Sequence, residues 1–577
     1  MSTTTASVPT TDAAPMTHRQ VLEALSGLLM GMFVAILAGT VVSTSLPRII
    51  ADLHGDQASY TWVVTATLLA TTVSTPIWGK FSDLFNRKLL VQLALVLFVI
   101  GSALAGLSQD TGALIVFRVV QGLGAGGLTA LVQVILSDII SPRERGRYMG
   151  FMGAVMAVGM AGGPLIGGLI TDGIGWRWNF YVAIPFAVVA LILIQRTLHL
   201  PKRPATKVRI DYLGLVLIAA GVSTLLIWIT LVVFGDNPVT TGHFAFASAT
   251  SFTMLGGALV LLVAAVLVEL RVAEPIIPVR LFANRTFALV VVGSLAVGVA
   301  IFGTSVFLAQ YMQLSRGLTP TVAGLATLPM ILGLLLSSSV IGNVISRTGR
   351  WKRWMILGAV LLIAGLVLLA TIDYTTPYWE LFVFMAVMGA GLGMLMQNLV
   401  LVVQNSVDVR QIGAASASVA FFRSLGGTIG VSVLGAILGT RVANYITDGI
   451  THASPTDQAS AIKQLGTSGQ IPEVGSLTGF ARTIIEDAYG HGVAEVFLIA
   501  VPLAVITLLA VVFLPRAELG TRTGIEQMGE KGHDAPVLTA VEAGAVDTVE
   551  VAADEIAGTP DHERLVGAAD ADRAPRS

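Results

Sequence analysis

The sequence predicts an all-α polytopic membrane protein of fourteen spans, arranged as two six-helix bundles with two additional helices between them. Three observations carry that expectation. The 577 residues are 54% hydrophobic and only 12% charged, with a mean hydropathy of +0.81, too apolar for a soluble chain of this length. A spanning helix needs about 20 mostly apolar residues, and about fourteen such stretches lie between short polar interruptions. A glycine- and arginine-bearing turn also follows the second span of both halves.

In chain order, residues 1–20 form a Thr-, Ser-, Ala- and Pro-rich tail. It lacks a charged region followed by a short apolar core and a cleavage site, so the first span is expected to act as its own insertion signal. The first bundle, 21–197, has spans at roughly 21–45, 60–78, 88–107, 112–137, 147–170 and 178–197. The linker 198–286 holds two more, at roughly 212–234 and 251–270. The second bundle, 287–513, has spans at roughly 287–312, 321–345, 354–373, 379–403, 413–439 and 489–513. Its loop 440–488 contains helical-looking pieces around Ala459 to Leu465 and Gly479 to Ala488. Segment 514–577 is acidic: from Arg516 onward it carries six basic and thirteen acidic residues, a net of −7. A stretch that charged and that poor in aromatics buries too little apolar surface to order itself, and it reads as a disordered solubilising tail.

Short cytoplasmic loops concentrate Lys and Arg. Arg143, Arg145, Arg147, then Lys202, Arg203, Lys207 and Arg209, then Arg280 and Arg285, then Arg347, Arg350, Lys352 and Arg353 all fall on the Lys80 side, whereas Phe234 to Thr250 has neither residue type. Both termini are therefore expected in the cytoplasm, with 440–488 outside, in a multi-pass plasma-membrane protein.

Other chemistries lack their residues. With no cysteine, disulfides and thiolate ligands or nucleophiles are absent. No Gly-x-x-x-x-Gly-Lys-Ser/Thr loop occurs and the eight His show no metal-ligand spacing, which argues against an enzyme, a metal, a cofactor and an ATP-driven pump. No nucleic-acid partner is expected. One chain holds both halves, so a monomer is expected to work alone. Absence of charged rings along the spans argues against a channel.

The turn Gly79-Lys80-Phe81-Ser82-Asp83-Leu84-Phe85-Asn86-Arg87-Lys88 resembles the loop between the second and third helices of the major facilitator superfamily, whose consensus runs Gly, two variable positions, Asp, then Gly-Arg and two basic residues. Asn86 stands where that family has Gly. A counterpart, Gly342 to Arg350, follows the second span of the last bundle. Repeated bundles with a site between them are a transporter architecture.

The fifth span carries Gly159, Gly163, Pro164, Gly167 and Gly168. Glycines every four residues allow close helix approach, and Pro164 removes a helical hydrogen bond. Plain tight packing would use the same residues. The whole pattern resembles the signature of the superfamily's antiporters. Arg118 lies inside the fourth span, where an ionised Arg costs about 2.5–3.5 kcal/mol on insertion scales and so faces a cavity or partner, unless it snorkels to the interface. Its surroundings, Arg118 to Gly127, resemble the family's fourth-helix motif, which implies a part in proton handling. Gly175-Trp176-Arg177-Trp178-Asn179-Phe180 and Gln310-Tyr311-Met312-Gln313 resemble the fourteen-span drug:proton antiporters, and the resemblance covers nearly all of 21–513. It implies proton coupling and gating by Arg118, Asp83, Lys80, Arg87, Lys88 and Gly79. The first-helix Asp of that subfamily is Ala38 here, and no span has a carboxylate near its middle.

Polar residues within spans, Thr40, Gln121, Gln310, Tyr311, Gln313, Gln397 and Asn398, outline a cavity suited to hydrophobic molecules with few polar handles; each serves equally well as an interhelical hydrogen-bonder. The expected function is secondary active export of hydrophobic or amphipathic drugs or toxic compounds by alternating access in exchange for protons. A dedicated natural-product or lipid exporter is the alternative within transport, and a channel or receptor the alternative outside it.

Overall fold

A computed structural model describes residues 18–53, 57–140, 142–198, 211–233, 248–272, 279–408, 411–465 and 477–516. The expected tail and its acidic counterpart lie almost wholly outside these residues. The first six spans are α1 (His18–Asp52), α2 (Gln57–Leu84), α3 (Arg87–Gly106), α4 (Thr111–Ile139), α5 (Pro142–Gly173), and a sixth made of α6 (Trp178–Tyr181) and α7 (Ala183–Thr197). The two extra helices are α8 (Tyr212–Val233) and α9 (Ala249–Glu269). Then come α10 (Arg285–Gln310), which runs on into a π-helical turn over Tyr311–Ser315, α11 (Pro320–Ala326) with α12 (Leu328–Thr348), α13 (Lys352–Leu369), α14 (Tyr378–Gln404), α15 (Ile412–Thr451), α16 (Pro455–Leu465) and α17 (Gly479–Phe513). Thirteen stretches among the described residues are long and apolar enough to cross a bilayer. The threonine-rich α2, 28 residues long, is the less apolar helix that brings the set to fourteen.

Two expectations about boundaries are corrected. The charged turn expected over Gly79 to Lys88 shrinks to Phe85 and Asn86, because α2 runs to Leu84 and α3 starts at Arg87. Asn86 makes that possible. Its Oδ1 accepts from the Lys88 and Leu89 amides at 3.0 and 3.5 Å, with φ −64°, so it caps α3 and the position has no need of glycine. The fifth span of the second bundle, expected to end near 439, continues as α15 to Thr451, and within 440–488 the helical pieces expected around Ala459 to Leu465 and Gly479 to Ala488 coincide with α16 and the start of α17. Leu477, Ile484 and Ile485 pack there with Ile446 and Ile450, an apolar contact that carries both helices past the spans.

Within the first bundle α2 and α3 pack on α4, and α1 packs on α5 and α7; within the second, α10 packs on α15 and α17, and α12 and α13 on α14. The helix α8, paired with α9, lies against α2 and α15 through an apolar patch of Val73, Ile218, Val222, Leu226 and Phe421. The bundles meet along two seams, α2 on α15 and α5 on α11 and α12. In both, the second span of one bundle meets the fifth of the other, as an internal repeat requires.

Burial is uneven along the spans. At the Lys80 end every residue of α4 from Ala130 to Leu136, of α14 from Gly391 to Gln404 and of α15 from Ile412 to Phe421 is buried, all around each helix. Toward the opposite end the same helices are buried on one face only. The molecule is thus closed at the Lys80 end.

Candidate functional site

The helix α5 sits between its own bundle and the other one, and its sequence divides accordingly. Gly159, Gly163 and Gly167 face α1: a Cβ would lie 3.0 Å from Ile36 Cγ2 at Gly159 and 2.8 Å from the Val41 carbonyl at Gly167, and would collide with Thr40 at Gly163. Thr40 Oγ1 crosses this seam to the Gly159 carbonyl at 3.1 Å, so it is spent on packing. Pro164 and Gly168 face α11, where Pro164 fits against Gly324 and a Cβ at Gly168 would lie 2.9 Å from Thr321 Cα. Asp172, at the end of α5, accepts from Thr321 Oγ1 at 3.2 Å. Lower on the same seam, Gly153 leaves room for Ser338 of α12.

At the Lys80 end, Gly79 is the point where α2 touches α15, since a Cβ there would collide with Ala417. Two bonds from the basic residues after it stay within their own bundle. Buried Arg87 donates from Nε to the Ser82 carbonyl at 2.9 Å, and Lys88 Nζ donates to the Gln195 carbonyl of α7 at 2.7 Å. Lys80 is half-buried. Asp83 lies in the last turn of α2; its side chain is outside the described part.

Arg118 and Gln121, expected in different roles, form one chain of hydrogen bonds. Arg118 Nη1 donates to Gln121 Oε1, Gln121 Nε2 donates to Ser102 Oγ at 3.1 Å, and Ser102 Oγ donates to the Phe180 carbonyl at 2.8 Å. All are buried. The chain runs from α4 to α3 and α6, in the gap between two apolar clusters of the first bundle, and Gly101 lets α3 come close to the Gln121 backbone. Gln121 is therefore engaged inside its bundle.

The other polar residues separate. Tyr311 is fully buried and donates to the Asp373 carbonyl at 2.7 Å. Asn398 Nδ2 bonds its own helix at the Met394 carbonyl, 2.7 Å away. Gln397 Nε2 reaches Met156 Sδ of α5 at 3.1 Å, and Gln397 Oε1 and Gln310 Oε1 are enclosed with no hydrogen-bond partner among the described residues. Gln313 is half-buried. Ala38 is buried in the core of the first bundle. Toward the end opposite Lys80, Glu495 is held by Arg441 Nε at 2.9 Å and Tyr445 Oη at 2.6 Å. No group of His, Asp and Glu able to hold a metal occurs among the described residues. Reading the sequence missed Arg423, a buried arginine of α15; its signal was an Arg in the middle of an apolar span.

The Major Facilitator Superfamily profile matches residues 28–431. The chain is 34% identical over 498 residues to an uncharacterised MFS-type transporter of Mycobacterium tuberculosis, covering 86% of this chain and 69% of that one. It is 32% identical to the multidrug transporter protein MdtP of Bacillus subtilis, covering 74% and 76% of the two chains, and 29% identical to multidrug resistance protein 3 of the same organism, covering 86% and 95%. Two solved structures share the fold at low identity. The human organic anion transporter MFSD10 has a TM-score of 0.53 at 14% identity, covering 84% of this chain and 99% of its own. A bacterial homologue of the lysosomal transporter Spinster has a TM-score of 0.51 at 17% identity, covering 86% and 98%. With the helix order, the two seams and these matches together, the chain belongs to the major facilitator superfamily of multi-pass membrane transporters.

Proposed function

We propose that this transporter exports hydrophobic or amphipathic compounds from the cytoplasm by alternating access, in exchange for protons, as a monomer in the plasma membrane with both termini cytoplasmic. The observation that carries the reading is the pair of seams between bundles. Both combine close small-residue contacts with apolar side-chain packing, and among the described residues few polar bonds cross them, so parting them breaks few hydrogen bonds. Positive-inside bias makes the Lys80 end cytoplasmic, and its closure corresponds to a state that holds cargo away from the cytoplasm. Relatives carrying multidrug names support cargo of this kind.

Proton coupling without a carboxylate at position 38 falls to Asp83, to a carboxylate near a span end, or to an indirect route through Arg118. The test is efflux of a lipophilic cationic dye and of a neutral hydrophobic compound from cells making wild type, Arg118→Ala or Asp83→Asn, with and without an uncoupler. Efflux that collapses with the uncoupler and falls in both variants at normal membrane expression is expected. Efflux indifferent to the gradient would remove the antiport reading.

A further inference from the structure

Arg423 stands eleven residues beyond Ile412 on α15, about 16 Å along the helix axis, which is near the middle of a ~30 Å hydrocarbon layer. It is only 8% exposed. No hydrogen bond or ion pair reaches its side chain from any described residue, yet its nitrogens are not among the sealed polar atoms that lack a partner. The guanidinium therefore keeps some accessible surface. Arg118 differs: its Nη1 is taken by Gln121 and its Nε is sealed.

The face that carries Arg423 points into the second bundle. Two turns earlier on that face, Ser416 accepts from Gln404 of α14 at 2.9 Å. One turn later Gly427 lies against Phe302, while Gly426 and Gly430 admit Leu295 and Val299 of α10. Phe422 and Leu425 turn the other way, onto the patch shared with α8. The helix face that carries Arg423 thus turns toward α10 and α14, away from the α8 side. The described carboxylates of the spans lie near one end or the other, with Glu495 already held by Arg441 and Tyr445. No carboxylate among the described residues pairs with this permanent cation, and intramembrane charges of this kind mark substrate pathways.

We propose that Arg423 is the anion-recognition point of the transport pathway, taking the carboxylate of an amphipathic organic acid whose apolar body lies beside Phe302. The planar fork of arginine suits a carboxylate bidentately. This deepens the exporter reading and rests on it: cargo would include hydrophobic acids in their ionised form.

The test uses the purified full-length protein and two matched probes, 1-naphthaleneacetate and its neutral amide 1-naphthaleneacetamide, titrated by calorimetry at pH 7.5. Wild type is expected to bind the acid at least tenfold more tightly than the amide, the range of a hydrogen bond to a charged group. Arg423→Gln should bring the two affinities together while leaving the amide unchanged, and Arg423→Lys should keep part of the preference. Equal affinities in wild type would leave the exporter reading standing and overturn this one. So would an unchanged preference in Arg423→Gln, or a parallel loss of both probes, which marks a structural role. Binding of neither probe by wild type would count against both readings.

Discussion

Thr72 of α2 and Thr428 of α15 meet with their hydroxyl oxygens 3.5 Å apart across the seam between the bundles, 356 residues apart in sequence. Each hydroxyl also bonds its own helix, Thr72 to the Leu68 carbonyl at 2.7 Å and Thr428 to the Ser424 carbonyl at 3.0 Å. Parting the helices therefore leaves neither oxygen unsatisfied, and the large penalty for an orphaned buried polar group is avoided. A seam of this kind can open in every transport cycle.

Because the chain has no cysteine, Thr72→Cys/Thr428→Cys creates a single reactive pair. Hydroxyl oxygens 3.5 Å apart put the two side-chain ends in contact, and a disulfide then requires the Cβ atoms to settle at about 3.5–4.5 Å. Oxidation is expected to cross-link the pair and stop transport, with recovery on reduction and no response in either single variant. Mass spectrometry of oxidised protein and an efflux assay check this; absence of a cross-link would show that the seam does not close here.

Adding one methyl at Gly163 drives it into Thr40, so Gly163→Ala should destabilise the protein by about 1–3 kcal/mol through overpacking. Thr40→Gly in the same chain removes the obstacle. Thermal unfolding of the four-member set should show a coupling of about 0.5–3 kcal/mol between the two sites. Strict additivity would mean that α1 and α5 do not touch there.

Gln121→Leu deletes the acceptor for Arg118 and the donor to Ser102 together, and should cost about 1–3 kcal/mol in stability. Ser102→Ala, which removes only the middle of the chain, should cost less. A Gln121→Leu protein melting with wild type would show that Arg118 has another support.

As the cap of α3, Asn86 should lose about 1 kcal/mol on change to Ala but only a few tenths on change to Gly. The glycine version also restores the family pattern at this position, so its transport should equal that of wild type. A large defect in Asn86→Gly alone would point to a role beyond capping, and comparison of melting and efflux separates the two.

Composition and apolar length were enough to identify a membrane chain and place its spans, because each spanning helix must satisfy its backbone internally and so announces itself as one long apolar run. Helix ends were less legible. The extensions of α15 and α17 depend on contacts between Ile446, Ile450 and Ile484, residues far apart in sequence. The glycines of α5 were visible as a pattern, but not that Gly163 meets Thr40 while Gly168 meets Thr321.

What the sequence by itself determined is the class of molecule and its repeat: apolar runs of spanning length, basic loops on one side, and the same turn and glycine motifs in both halves. Only the tertiary structure decided which polar residue does what. It joined Arg118 to Gln121 within the first bundle, spent Thr40 on a helix seam, and left Arg423 buried with no counter-ion among the described residues. The physical reason is that a hydrophobic run records one residue's preference for lipid, whereas a polar side chain takes its role from whichever partner another helix brings to it.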